Sequence, residues 1–205
     1  YLGDTMKKLV VIITILILFI PKVNASTSSA SSYILMDSTT GRVLMSKDMH
    51  TRRLIASITK IMTATLAIES GKLNDVVEVS PIIKEAYGSG IYIEVGEEIT
   101  LKDLVYGLML RSGNDAAMMI SEYIGGTTEE FVNMMNKKAK ELGMKETTFY
   151  NPSGLPTPSG NYSSVYDMAL LTKYAMNSSV YQEIVKTKTY KVTCLLYTSD
   201  AADEA

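Results

Sequence analysis

Ala56-Ser57-Ile58-Thr59-Lys60-Ile61-Met62-Thr63-Ala64 is the stretch on which the reading of this chain turns. Ile58, Ile61, Met62, Thr65 and Leu66 recur at spacings of three and four, which predicts a helix over residues 55–70. Gly71 supplies its stop. Ser57 then stands at the helix start, where the positive dipole end and backbone N–H groups stabilise a developing oxyanion. Lys60, three residues on, lies on the same face one turn along. A neutral lysine amine can take a serine's proton when burial or nearby positive charge lowers its pKa. The apolar flanks Ile55-Ala56 and Ile61-Met62 provide such a setting. The pattern alone has little specificity: average usage gives roughly one Ser-x-x-Lys match per 200 residues. It occurs once in this chain. An amphipathic helix with a capping serine and a solvated lysine is the bland alternative.

A second feature lies 55 residues after Ser57, at Ser112-Gly113-Asn114. Residues 100–110 and 114–124 read as helices, so the tripeptide falls at their junction. A hydroxyl there can relay a proton to a leaving amine, and an amide can bind substrate or hold the lysine. The same tripeptide recurs at Ser159-Gly160-Asn161, inside a loop rich in proline and glycine, so only context separates the two. A plain helix N-cap at Ser112 or Asn114 is the structural alternative.

The remaining elements follow from periodicity and punctuation. Residues 33–37 and 42–46 are β-prone and flank Ser38-Thr39-Thr40-Gly41, which predicts a hairpin. Residues 76–79 and 91–95 are further strand candidates. Thr100 with Asp103, Thr127 with Glu130 and Ser164 with Asp167 mark helix starts, and Gly125-Gly126 and Gly143 mark stops. A short helix over 179–185 and a strand over 187–192 complete the pass. The order predicts an α+β fold, an antiparallel sheet packed against a helical cluster and built from both chain ends. There are no internal repeats.

The two ends are expected to be separate from the domain. Met6-Lys7-Lys8 precedes an apolar run of 12 residues, Leu9 to Ile20, and then Val23-Asn24-Ala25. That is the layout of a secretory signal, and a spanning helix needs roughly 20 apolar residues. Residues 1–25 are therefore read as upstream residues plus signal peptide, and residues 26–193 as an extracytoplasmic domain at the wall or outer membrane face. Residues 194–205 resemble the translation of a sequencing-library adapter and are read as a non-native tail.

Composition narrows the function classes. Apolar residues make up 46% and charged residues 20%, a globular balance, and the net charge is −2 with no basic stripe. Nucleic-acid binding is thereby disfavoured. One histidine and one cysteine, His50 and Cys194, make a metal centre improbable, and no cofactor is expected. His50 reads as a surface residue, and Glu94, Glu97 and Glu98 as solvated charges about a turn at Gly96. The 13 methionines and 13 tyrosines read as packing residues and not as a cofactor box.

The two motifs, with Leu110-Arg111-Ser112-Gly113-Asn114-Asp115-Ala116-Ala117 and Thr148-Phe149-Tyr150-Asn151-Pro152-Ser153-Gly154-Leu155, resemble the low-molecular-mass penicillin-binding proteins, and more narrowly their D-alanyl-D-alanine carboxypeptidase family. The likeness runs from about Tyr33 to Val192. It implies a penicillin-binding-protein fold whose later sheet strands are missing. It also implies a serine peptidase acting on peptidoglycan stem peptides that end in D-Ala-D-Ala, acylated by β-lactams. Ser57 would be the nucleophile, Lys60 its base, Ser112 a proton shuttle and Asn114 a substrate-binding amide, with the Ser57 N–H as half of the oxyanion hole. The family's third motif, Lys-Thr-Gly or a relative, is absent, and no glycine follows Gly160. The resemblance therefore implies truncation and an inactive fragment. A C-terminal domain and membrane-surface anchor, present in many relatives, would lie beyond it. A serine β-lactamase and a non-catalytic wall-binding protein of the same fold are the alternatives. Gly113, where class A β-lactamases usually carry aspartate, disfavours the first.

Overall fold

The computed structural model describes residues 3–4, 6–9, 28–156 and 159–192. It divides into a unit over Tyr1–Ala30 and a unit over Ser31–Ala205. In the first, residues 3–4 and 6–9 are helical. The rest of the expected signal peptide and the whole expected tail lie outside the described residues. Among the described residues, no helix is long and apolar enough to cross a membrane.

The second unit opens with the expected hairpin. Strand β1, Tyr33–Met36, pairs antiparallel with β2, Val43–Lys47, and the register slips between Leu35 and Met36. Asp37 closes the turn by accepting from the Thr40 N–H and hydroxyl at 2.6 Å each, and Gly41 takes the left-handed φ of +76°.

A two-residue strand β3, Arg53–Leu54, leads into a 3₁₀ turn over Ala56–Thr59 and then helix α1, Lys60–Glu69. The predicted helix thus starts as a tighter turn that carries Ser57 just ahead of it. Lys60 and residues 62–67 of α1 are buried almost all round, so α1 is the central helix and not a surface one. It packs against α2 (Leu101–Leu110), α3 (Asn114–Gly125), α4 (Thr128–Glu141), α5 (Val165–Ala175) and α6 (Ser179–Lys186). Phe131, Met135, Leu104, Leu108, Ile120 and Leu171 fill the space between them.

Capping chemistry places the helix starts where it was expected to. The hydroxyls of Thr100, Thr127 and Ser164 accept from the N–H groups of Asp103, Glu130 and Asp167, each at 3.1 Å. The alternative reading of Ser112 or Asn114 as a plain helix cap does not hold: Gly113 is the N-cap of α3 and offers no side chain.

The fold is α+β with antiparallel pairing and a helical cluster, as expected, but the pairing is divided. The described residues hold three two-stranded sheets and not one. β4, Val76–Glu78, pairs with β5, Glu98–Thr100, whereas residues 91–95 form no strand. The Ile91 and Tyr92 N–H groups are taken by the Asp115 carboxylate, and Tyr92 sits at φ +60°, so the run cannot join a ladder. β3 pairs with β6, Tyr162–Ser163, across more than a hundred residues. Residues 187–192 also form no strand. Their Tyr190 ring stacks on Tyr106 at 3.6 Å, and its hydroxyl donates to Asp103 at 2.6 Å, which holds the segment against α2.

Asp167, at the start of α5, is fully buried. Its Oδ2 accepts from the Glu146 N–H and the Thr147 hydroxyl at 2.7 Å each. Its Oδ1 finds no donor among the described residues. Burial pushes this carboxyl above its ordinary pKa, and the neighbouring Glu146 carboxyl adds to the rise. A raised carboxyl favours folding fully only below its unfolded value, and that contribution is lost as pH rises through the folded value. Asp167→Asn keeps the acceptor, adds a donor and removes the charge. We expect it to raise stability at pH 7 by about 1 kcal/mol and to gain nothing at pH 3, as read by thermal melts at the two pH values.

Candidate active site

The 3₁₀ turn exposes Ser57 while Lys60, at the first turn of α1, is 3% exposed. Lys60 Nζ has three oxygen neighbours: Ser57 Oγ at 3.2 Å, Asn114 Oδ1 at 2.8 Å and the Ser153 carbonyl at 2.6 Å. Burial pushes the amine down to about 8, partly opposed by the negative charge of Asp115. About a tenth of it is therefore neutral at pH 7.

The two protonation states use this tripod differently. A charged ammonium donates to all three oxygens. A neutral amine has two N–H donors and one lone pair. Asn114 Oδ1 and the Ser153 carbonyl are pure acceptors, so they take the two N–H groups. The lone pair is then left for Ser57 Oγ, which can donate its own proton.

Asn114 opens α3 and is itself held. Its Nδ2 donates to the Tyr87 carbonyl at 2.6 Å and its backbone N–H to the Ser89 carbonyl at 2.8 Å. One Nδ2–H and one Oδ1 lone pair remain for a substrate. Ser112 lies at the α2–α3 junction, half-buried, in the left-handed region at φ +55°. Among the described residues no hydrogen bond joins its hydroxyl to Ser57 or Lys60. The structure therefore brings Ser57 and Asn114 onto Lys60 and joins Ser112 to none of the three by a side-chain hydrogen bond among the described residues.

Residues 148–155 stood out in the sequence only for their family likeness, and their role, to supply the third oxygen, was missed. Asn151 Oδ1 accepts from the Ser153 and Gly154 N–H groups at 3.2 and 2.6 Å. Asn161 Oδ1 accepts from the Tyr150 and Asn151 N–H groups, and its Nδ2 donates to Thr59 Oγ1 at 2.9 Å. Thr63 Oγ1 donates to the Pro152 carbonyl at 2.7 Å. Two asparagines and a threonine thus pin residues 150–154 against α1. Asn161 belongs to the second copy of the tripeptide, which was expected in a loop, yet it is fully buried. No sequence signal marks it, because its partners are the loop's own N–H groups and a threonine about a hundred residues away. His50 is exposed, beside Glu146 at 3.6 Å, as a surface histidine should be. Glu94 and Glu98 are exposed about the Gly96 turn.

A solvent-facing serine whose hydroxyl meets a buried, depressed lysine amine has the chemistry that acyl transfer to serine needs. The profile of the D-alanyl-D-alanine carboxypeptidase family matches residues 21–202, and the chain belongs to that family. It is 46% identical over 168 residues to the D-alanyl-D-alanine carboxypeptidase DacF of Bacillus subtilis strain 168, covering 79% of this chain and 42% of that protein. It is 37% identical over 158 residues to DacD of Escherichia coli K12, covering 70% of this chain and 40% of that protein. Among solved structures, DacD from Francisella tularensis superposes with a TM-score of 0.73 at 38% identity, over 78% of this chain and 40% of that one. The S216A mutant of the Streptomyces K15 DD-transpeptidase gives a TM-score of 0.78 at 31% identity, over 82% of this chain and 69% of that one. The chain spans about two fifths of the length of these two carboxypeptidase relatives.

Proposed function

We propose that this chain carries the nucleophile and base of a D-Ala-D-Ala carboxypeptidase acting outside the cytoplasm on peptidoglycan stem peptides. The observation that carries the reading is the tripod about Lys60 Nζ, which leaves its lone pair for Ser57 Oγ. Family membership narrows a general serine acyl-transfer site to this substrate class.

The contacts of Lys60 support the first of the proposed steps, and the family resemblance supports the Ser112 and oxyanion roles. Neutral Lys60 takes the Ser57 proton as Oγ attacks the carbonyl carbon between the two D-alanines. The Ser57 backbone N–H faces the developing oxyanion, and the remaining Asn114 N–H holds the substrate's amide. The C–N bond breaks, and Ser112 passes the proton to the leaving D-alanine. Water then hydrolyses the Ser57 ester, and the enzyme is restored. In a β-lactam the broken C–N bond lies in a ring, so the leaving amine stays tethered and the ester persists. Membrane-surface association through a C-terminal anchor belongs to the same proposal.

The test is D-alanine release. The protein at its full natural length should free D-alanine from a peptide ending in D-Ala-D-Ala, and penicillin should abolish that release. Absence of both, in correctly folded protein, would reject the reading. Rapid nitrocefin turnover would replace it with a β-lactamase.

A further inference from the structure

Asp115 follows the site asparagine directly, and the residue is 8% exposed. It accepts from the Ile91 N–H at 3.1 and 3.0 Å through its two oxygens, from the Tyr92 N–H at 2.7 Å and from the Ala116 N–H at 2.8 Å. We propose that Asp115 is a positioning residue: it clamps the 87–92 loop onto the start of α3 and so holds the Asn114 amide in the orientation that faces Lys60. The inference rests on the carboxypeptidase reading above and deepens it.

Three features of the loop support the clamp. Tyr92 is left-handed at φ +60°, although its side chain is 74% exposed and makes no demand on the backbone. Such a conformation in a non-glycine residue persists only where its surroundings enforce it. The Asp115 carboxylate enforces it by gripping two consecutive N–H groups. Gly90 lies so close that a Cβ there would stand 2.9 Å from Asp115 Oδ2. Gly88 takes φ +81°, so the loop turns sharply back toward Asn114.

The loop returns that grip to the site. Its Ser89 carbonyl takes the Asn114 N–H, and its Tyr87 carbonyl takes Asn114 Nδ2. The oxygen and nitrogen of an amide are nearly alike in shape, so an asparagine is oriented by its partners and not by sterics. A flipped Asn114 would aim Nδ2 at the Lys60 amine and Oδ1 at the Tyr87 carbonyl, two mismatches at once. The Tyr87 carbonyl therefore selects the orientation in which Oδ1 takes a proton of Lys60. Asp115 acts on Asn114 through this carbonyl and on Lys60 through its charge, which holds the ammonium form.

Two variants separate the geometric and electrostatic parts. Asp115→Asn loses the charge and half of the acceptor capacity. Gly90→Ala keeps the charge but pushes the loop against the carboxylate. Both should lower the high-pH plateau of the penicillin acylation rate ~10–100-fold, because Asn114 is displaced. Only Asp115→Asn should move the Lys60 titration to lower pH, by roughly half a unit or more, since removing a nearby negative charge disfavours the ammonium. That titration is read directly by NMR of ¹³C-labelled lysine, with no substrate present. Amide exchange at Ile91 and Tyr92 should accelerate in both variants. Unchanged plateaus, or a Lys60 titration that does not fall in Asp115→Asn, overturn the proposal even if the melting temperature drops. If the parent protein is not acylated at all, the carboxypeptidase reading fails by itself. The Lys60 titration and the amide exchange then still decide whether Asp115 clamps the loop.

Discussion

Lys60→Met should lower the rate of acylation by penicillin ~10³-fold or more while leaving the fold intact. Methionine fills nearly the same volume but has no amine, so nothing accepts the Ser57 proton. General bases contribute about 10²–10⁴-fold, and no second base touches Ser57 Oγ among the described residues. Lys60→Arg should be as inactive, because a guanidinium does not deprotonate in proteins. The parent protein should supply a matching signature. Burial pushes its Lys60 amine down to about 8, because it disfavours the ammonium. The neutral base grows as pH rises, so acylation should climb about tenfold per unit below that value and level off above it. Stopped-flow acylation across pH 6–10, with both variants, checks the base and its titration together. A variant that retains the parent's rate would remove Lys60 from the chemistry.

Gly154→Ala should be the most damaging single-methyl change near the site. Gly154 holds φ +89°, a region that side-chain-bearing residues rarely adopt. A Cβ there would overlap the Ala56 carbonyl and stand 3.0 Å from the Ser57 nitrogen. Ala56 itself is left-handed at φ +42°, so the 3₁₀ turn has little freedom to retreat. Strain and overpacking each cost about 1–3 kcal/mol, and here they add. We expect a loss of roughly 3–5 kcal/mol, read as a large drop in melting temperature. Any protein that folds should be acylated poorly, because the turn that presents Ser57 has moved. A melting temperature within a degree or two of the parent would show that the turn yields easily.

The helices were legible because their signals are local. A threonine or serine followed three residues later by an acid marks a start, and a glycine marks a stop. Thr127 with Glu130, and Ser164 with Asp167, needed no tertiary information. The 33–47 hairpin is local and was legible too, whereas pairing across long separations is not, and there the reading of residues 91–95 and 187–192 failed. The β-prone residues 91–95 lost their ladder to the Asp115 carboxylate, and β3 meets β6 only because the chain returns after a hundred residues. The site divided along the same line. Ser57, Lys60 and Asn114 are recognisable by residue type and spacing. The third oxygen of the tripod is a backbone carbonyl, which any residue could supply and no residue type announces. Asn151 and Asn161, which place it, act on N–H groups of the loop, so their role appears only once the loop is folded. Asp115 stands beside Asn114 in the sequence, but its partners are backbone N–H groups of a distant loop, which no residue type announces.

Mapping the acylated residue tests the central claim most directly. The full-length protein is treated with penicillin, digested, and its peptides weighed. The account predicts one penicilloyl adduct, on Ser57, and none in Ser57→Ala. An adduct on Ser112 or another serine, or an unmodified Ser57 in protein that binds penicillin, would contradict it.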